Sequence, residues 1–338
     1  MIFVTGGTGL VGAHVLLKLS LKNISFVALK RESSTLDICK KIFLKYNASK
    51  YFNNIKWING DVTDIISLDE GMHECEYVIH CAGLVSFQDY DQELLYRINT
   101  LGTENVVNIA LSKDIKKLIY ISSIAALGRN STSQIVTEDN YFQHSNVENH
   151  YSISKYYAEQ EVWRASAEGL DVVILNPSVI LGPGDWSKGS SQIFQKIYKG
   201  LPFYTNGATG YVDVLDVSSA ALQLLFSPLK NERYILNGIN ISYKKAFALI
   251  AKKFNKKEAT ILVTPFIKEL AWRLEKIRSF FTRKPPMITR QTANTSMRIS
   301  SYSNEKIKKD LGFQFIDFET TINNYCKWFI DDLNQTSL

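Results

Sequence analysis

Residues 2–15 read IFVTGGTGLVGAHV, and the fold of the rest of the chain is decided by how they are read. Ile2, Phe3, Val4 and Thr5 are residue types that favour a short buried strand. Gly6, Gly9 and Gly12 then punctuate a turn into an apolar, helix-compatible run that begins at Leu10. Glycines let a backbone approach a ligand closely, and a helix N-terminus directs amides and a positive dipole at an anion. Glycines at this spacing also mark ordinary turns. With a strand before them and a helix after, they predict a dinucleotide pyrophosphate cradle.

Bulk composition sets the bounds. At 338 residues, with 45% hydrophobic and 21% charged content, the chain reads as a soluble globular protein of one large or two smaller domains. Its net charge of +6 is mild and its basic residues are dispersed until the last quarter, so no nucleic-acid stripe is expected. Cys39, Cys75, Cys81 and Cys326 have neither metal-type nor secretory spacing. Reduced thiols, no metal and a cytoplasmic location are expected. The first strand begins at residue 2, which leaves no room for a signal peptide. No apolar run reaches the roughly 18 residues of a membrane span.

Further strands are predicted at Ser25–Leu29, Ile55–Ile58, Tyr77–His80, Lys117–Ser123 and Asp171–Leu175, with helices at Leu10–Leu21, Asn99–Leu111 and Tyr151–Glu168 between them. Residues 34–54 read as a helix and a polar loop, and 129–149 as a loop. This alternation predicts a Rossmann-like, doubly wound parallel sheet, covered on both faces, with ligands beyond the carboxyl ends of its strands. Eighteen positions past Gly12, where an NAD-binding unit usually carries an acid, stand Lys30 and Arg31. Both suit a 2′-phosphate, so NADP(H) is favoured over NAD(H), with solvated strand-end cations as the alternative. Asp61 is placed to meet an adenine amino group or to cap the next helix. Small residues in Cys81-Ala82-Gly83 let the backbone pass along a cofactor. His80 reads as a packed or orienting imidazole, and Cys81 as inert.

Tyr151 and Lys155 are four apart on one helix and share a face. A tyrosine is a poor acid-base at neutral pH, and a nearby ammonium favours its phenolate. Lys155 is therefore expected to pull Tyr151 towards a working range. Ser123, at the polar end of a strand, would then hold a substrate oxygen.

The chain resembles the extended short-chain dehydrogenase/reductases, a group of epimerases, dehydratases, dihydroflavonol reductases and 3β-hydroxysteroid dehydrogenases. The matching stretches are Thr5–Gly12, Val78–Gly83, Asn99–Val107, Tyr120–Gly128, Tyr151–Lys155, Asn176–Asp185 and Tyr211–Asp216. The resemblance implies a catalytic set of Ser123, Tyr151 and Lys155, with Asn99 in support. Lys155 would also hold the nicotinamide ribose. Implied cofactor contacts are Gly6, Thr8, Gly9, Leu10, Val11 and Gly12; Lys30 and Arg31; Asp61 and Val62; Cys81, Ala82 and Gly83; Tyr151 and Lys155; and Pro177 and Val179. It further implies a homodimer through the helices that begin near Asn99 and Tyr151, with Tyr156, Tyr157 and Trp163 as candidate contacts.

Residues 1–177, with returning segments near 212–237 (a helix at Val214–Phe226 and a strand at Arg233–Leu236), form the expected nucleotide domain. Residues 178–211 and 238–338 form a smaller mixed α/β substrate lobe, closing with helices at Asn304–Leu311 and Phe318–Leu333. Sugar-nucleotide members of the resembling group carry an Arg just before the stretch matching Tyr211–Asp216. Here Asn206-Gly207-Ala208-Thr209-Gly210 stands there, with no cation for a diphosphate. The segment Pro265–Phe281 has apolar residues at helical spacing and reads as a core-packing helix, a substrate lid or a membrane-surface contact. Arg283-Lys284-Pro285-Pro286 reads as a mobile loop. The expected activity is NADP(H)-dependent hydride transfer at a carbonyl or hydroxyl carbon of a small, largely apolar substrate. The alternatives are a nucleotide-sugar epimerase or dehydratase with retained cofactor, and a non-catalytic NADP(H)-binding redox sensor.

Overall fold

The structure, a computed structural model, describes residues 1–128, 135–142, 149–283, 286 and 288–336. Its strands are β1 (Ile2–Thr5), β2 (Phe26–Lys30), β3 (Lys56–Asn59), β4 (Tyr77–His80), β5 (Lys117–Ile121), β6 (Asp171–Pro177), β7 (Val179–Leu181), β8 (Phe203–Tyr204), β9 (Ala208–Asp213), β10 (Glu232–Leu236), β11 (Ile239–Ser242) and β12 (Ile261–Leu262). Seven of them form one parallel sheet in the order β10-β6-β5-β4-β1-β2-β3. The chain enters at β1, winds outward to β3, then crosses back to β4 on the other side of β1. That reversal opens a crevice beyond the carboxyl ends of β1 and β4.

β1 shows why this sheet needs both faces covered. Ile2 and Val4 point into the cluster built with Ile119 of β5 and with Leu16, Val217 and Leu224, from helices Leu10–Leu21 and Val214–Leu225. Phe3 points the other way, among Leu68, Val106, Ala158 and Val162, from helices Ile65–Met72, Gly102–Ser112 and His150–Ala167. The alternation has the period of a strand, and Ile2, Phe3 and Val4 are all apolar because neither face meets water.

β10 re-enters the large sheet beside β6, so the polypeptide passes back and forth between the two layers. The second lobe has a three-stranded sheet in the order β11-β9-β7 and a two-stranded pair, β12-β8. Its core holds Phe194, Tyr211, Ile250, Ile322, Tyr325 and Phe329. β7 and β8 are three and two residues long, too short to show an apolar period.

Three local readings differ from the sequence. The segment expected as one helix from Asn99 begins earlier, at Gln92–Leu95, and passes through a π-turn, Tyr96–Leu101, before Gly102–Ser112. Residues 34–54 hold two helices, Asp37–Lys45 and Ser49–Phe52. Helix Pro265–Thr282 does not pack its apolar stripe into the core, because none of its residues is buried. Much of the expected loop 129–149, and Lys284 and Pro285 of the expected mobile loop, lie outside the described residues. No helix among those described is long and apolar enough to cross a membrane.

Candidate active site

Two of the glycines after β1 are demanded by the backbone itself. Gly6 has φ +70°, and a Cβ there would lie 2.6 Å from the Ala82 amide nitrogen. A Cβ on Gly12 would lie 2.1 Å from the Gly6 carbonyl oxygen, which accepts the Gly9 amide at 3.0 Å. Gly9 is different. Its Cβ would sit 3.4 Å from that oxygen, an ordinary contact. Gly9 also caps helix Leu10–Leu21 with no side-chain acceptor, so the first amides of the helix face outward uncapped.

The glycine loop forms one wall of a cleft of about 250 Å³. Gly6, Thr8 and Gly9 line it together with Lys30 and Arg31 after β2, Asp61 and Val62 after β3, and Cys81, Ala82 and Gly83 after β4. Leu29, Ser34, Gly60, Leu84 and Ile98 complete the lining, and none of them is among the contacts expected from the sequence. The structure does not put every expected contact on that wall. Leu10 packs towards Gly182 and Gly184, Val11 lies against the apolar cores, and Gly12 is buried under Gly6. Pro177 and Val179 sit in β6 and β7, across the sheet.

At the floor of the cleft Lys30 Nζ donates to Asn59 Oδ1 at 2.6 Å, while Arg31 is exposed. Asp61 Oδ1 accepts from the Thr63 amide and hydroxyl at 2.9 and 2.8 Å. The helix cap is Asp64, whose Oδ1 accepts from the Ile66 amide. Asp61 is therefore free of the capping role left open for it.

His80 ends β4 fully buried. Its Nδ1 is 2.6 Å from Thr5 Oγ1 and its Nε2 3.0 Å from Thr103 Oγ1, and it stacks on Tyr120. Burial holds its pKa down to about 3, so the ring is neutral and serves as a strut. Burial likewise pushes the Cys81 thiol up to about 12, leaving it inert.

Asn99, in the π-turn, is 1% exposed and fully engaged. Its Oδ1 accepts from the Leu84 amide at 2.7 Å, and its Nδ2 donates to the Leu84 carbonyl and to Ser154 Oγ, both at 2.9 Å. It fastens the strand-end loop to helix His150–Ala167. A Cβ on Gly83 would lie 3.3 Å from Asn99 Oδ1 and 3.8 Å from Lys155 Nζ, so Lys155 stands directly behind this part of the cleft lining.

Lys155 Nζ donates to Tyr120 Oη at 2.7 Å and to the Ile121 carbonyl at 3.0 Å. Burial lowers its pKa to about 7, against the opposing pull of Glu159. Tyr151 lies one turn earlier, half-buried and edge-on to Phe87, with the Ser123 side chain near enough to act on its hydroxyl. Its pKa is raised by burial, and Ser123 offsets only part of this. The expectation that Lys155 draws Tyr151 down is not met in this arrangement. The buried ammonium spends its donors on the two oxygens at the end of β5.

Behind these groups lies a network that the sequence reading missed. Glu159 is fully buried and accepts from Ser122 Oγ and Asn176 Nδ2 at 2.5 Å each, and from Arg233 Nη2 at 2.7 Å. Asn176 Nδ2 also donates to the Ser123 carbonyl at 2.9 Å, so the network fixes the backbone that carries Ser123. Its signal was present: Glu159 is four residues after Lys155, on the same inward helix face.

In the second lobe, Gly207 packs against the carbonyls of Ser296 and Arg298, and the Ala208 amide donates to the latter at 2.9 Å. Arg298 is thus brought to the stretch where the local sequence has no cation. No group of His, Cys, Asp or Glu among the described residues could hold a metal ion.

Residues 2–236 match the NAD dependent epimerase/dehydratase family. The chain is 30% identical, over 97% of its length and 94% of the relative's, to a Synechocystis sp. protein named "Putative dihydroflavonol 4-reductase". It is 22% identical to the sterol demethylase protein B of Methylococcus capsulatus, over 96% of this chain and 97% of that one. The UDP-glucose 4-epimerase of Thermotoga maritima, solved with UDP-glucose, superposes with a TM-score of 0.77 at 19% identity, covering 98% and 99% of the two chains, which shows a shared fold. The chain belongs to the NAD dependent epimerase/dehydratase family, the extended short-chain dehydrogenase/reductases, and is an NAD(P)-dependent enzyme of that family.

Proposed function

We propose that the protein is an NADP(H)-dependent reductase or dehydrogenase acting on a carbonyl or hydroxyl carbon of a small, largely apolar substrate. The observation that carries this reading is that Ser123 comes close to the Tyr151 hydroxyl, one helical turn from Lys155, whose Nζ lies next to Gly83 in the lining of the cleft. The residues fit a dinucleotide. Gly9 is the glycine that the protein's own packing does not require, which is what a pyrophosphate lying against that position would explain. Gly6, Thr8, Gly9 and the uncapped helix amides would hold the pyrophosphate, and Asp61 and Val62 the adenine. Lys155 would hold the nicotinamide ribose.

The cofactor's nicotinamide supplies or accepts the hydride when bound. Tyr151 gives its proton to the substrate oxygen as negative charge develops there, and the Ser123 hydroxyl holds that oxygen in line. Burial keeps Tyr151 a phenol at neutral pH, the form required of a proton donor. Lys155 fixes the end of β5 through Tyr120 and Ile121, and Asn99 acts as a positioning residue through the Leu84 backbone.

Arg31 and Lys30 share the cleft with Asp61, and an exposed guanidinium there suits a 2′-phosphate. An apolar substrate is supported by Phe87 beside Tyr151 and by the likeness to relatives named for a flavonol and a sterol reaction. Four free thiols suit a reducing compartment such as the cytoplasm. Helix His150–Ala167 leaves Tyr157 41% exposed and Tyr96 of the neighbouring turn 49%, which supports a homodimer on this side. A Tyr157→Lys variant that remains as dimeric as the native chain by light scattering would count against it.

The rival reading, a nucleotide-sugar epimerase or dehydratase, is favoured by Arg298 beside Gly207 and Ala208. One experiment separates the two. The protein is mixed with NADPH or NADH and a panel of aryl ketones, steroid ketones and UDP- or GDP-sugars, with cofactor oxidation and product mass followed together. Stoichiometric NADPH oxidation with an apolar ketone is expected. Conversion of a nucleotide sugar without net cofactor consumption overturns the reading.

A further inference from the structure

Helix Pro265–Thr282 turns most of its large apolar side chains to solvent. Phe266, Leu270, Leu274, Ile277, Phe280 and Phe281 are between 49% and 80% exposed. At 100° per residue they fall within an arc of about 120°. The half-buried side mixes Ile267, Ala271 and Trp272 with polar contacts: Lys268 Nζ donates to Asn294 Oδ1 at 2.7 Å, and Arg278 pairs with Glu275, which in turn acts on Lys196. Next to the start of the helix the apolar surface continues through Ile261 and Phe203, adjacent on β12 and β8 and each 44% exposed.

Charge is concentrated in the same place. Residues 265–298 contain eight Lys or Arg and two Glu, a net of +6 that equals the net charge of the whole chain. The segment that follows the helix reaches the candidate active site: Gln88 Nε2 donates to the Pro286 carbonyl at 3.2 Å and Gln291 Nε2 to Asp89 Oδ1 at 2.9 Å, beside Phe87, which packs on Tyr151.

We infer that this helix lies on an anionic lipid surface, with its aromatic face in the bilayer interface and Lys276 and Arg283 at the headgroups. A basic helix with a large apolar face takes that position, burying about 5–10 Å into the headgroup boundary. A second copy of the chain is a poorer occupant, because a two-fold contact sets the patch against itself and opposes like charges. Nucleic acid is poorer too, since the centre of the face is Phe, Leu and Ile and not its cations. Docking sets the Phe87–Tyr151 side of the molecule against the bilayer, so the substrate is an apolar carbonyl compound that resides in the membrane. This last step rests on the reductase reading, and the docking itself does not.

The test is flotation of the full chain with vesicles of phosphatidylcholine alone and with added phosphatidylglycerol, at low and high salt. Flotation with the anionic vesicles at low salt is expected, with loss at high salt. In F280S/F281S the partition falls about 100-fold, as about tenfold for each aromatic removed from the interface. Lys276→Ala and Arg283→Ala each lower it about fivefold. NADPH binding, followed by fluorescence, stays native in all of them. No flotation at low salt, equal flotation of F280S/F281S, or a dimer that this variant abolishes without any lipid binding would each overturn the inference. Because flotation needs no turnover, a failure of the reductase reading leaves this result standing.

Discussion

Replacing Arg233 with methionine strands the carboxylate of Glu159. Glu159 has no exposed side-chain surface and Arg233 is 17% exposed, so their 2.7 Å pair is effectively dry. Removing one partner from a buried pair costs about 3–5 kcal/mol, and Glu159 keeps two neutral donors in Ser122 and Asn176, so the low end, about 3 kcal/mol, applies. An unfolding entropy of about 2.1 cal/mol/K per residue makes that a fall in Tm of roughly 4 °C for a chain of 338 residues. The double variant E159Q/R233M keeps an acceptor for both donors and buries no charge, so it should recover to within about 1 kcal/mol of the native protein. Thermal melts of the native, single and double variants make the cycle. The Arg233→Met variant should also lose turnover, because Asn176 ties the same network to the Ser123 carbonyl. A single variant as stable as the native chain, or a double variant no better than the single, refutes the reasoning.

Two further outcomes follow from the cleft and its floor. Arg31→Ala should weaken NADPH binding about 10–100-fold, the worth of charge-assisted bonds to a phosphate, and leave NADH binding unchanged by fluorescence titration. Equal weakening of both cofactors argues for NAD(H). His80 is neutral when folded, with its pKa held at about 3 against 6.5 unfolded. The unfolded chain therefore binds the proton first: the stability that His80 contributes is complete above pH 6.5 and drains away as pH falls towards 3. Between pH 8 and pH 5 this amounts to about 2 kcal/mol. Urea titrations should show the native protein losing that much more than His80→Gln over the interval; parallel losses would contradict it.

The sequence made the nucleotide half legible because its signals are local. The β1–glycine–helix junction, the short apolar strands and the Tyr151–Lys155 spacing each need only a few neighbouring residues, and the parallel, doubly covered sheet follows from their alternation. What escaped it depends on distant partners. Lys155 donates to Tyr120 and Ile121, some 34 residues away in the chain, so the spacing to Tyr151 alone gave the wrong direction for its pKa. Glu159 gains its meaning from Arg233 on β10, and Arg298 reaches Ala208 from the far end of the second lobe. The periodicity of Pro265–Thr282 revealed a stripe, but a stripe does not say which side of a helix meets the protein.

The most direct test of the account is Tyr151→Phe, with NADPH affinity and single-turnover reduction of a ketone substrate measured on the same sample. Cofactor affinity should stay native while turnover falls about 10²–10⁴-fold, the usual contribution of a positioned acid. Turnover at the native rate, with cofactor bound as before, would remove Tyr151 from the chemistry and the account with it.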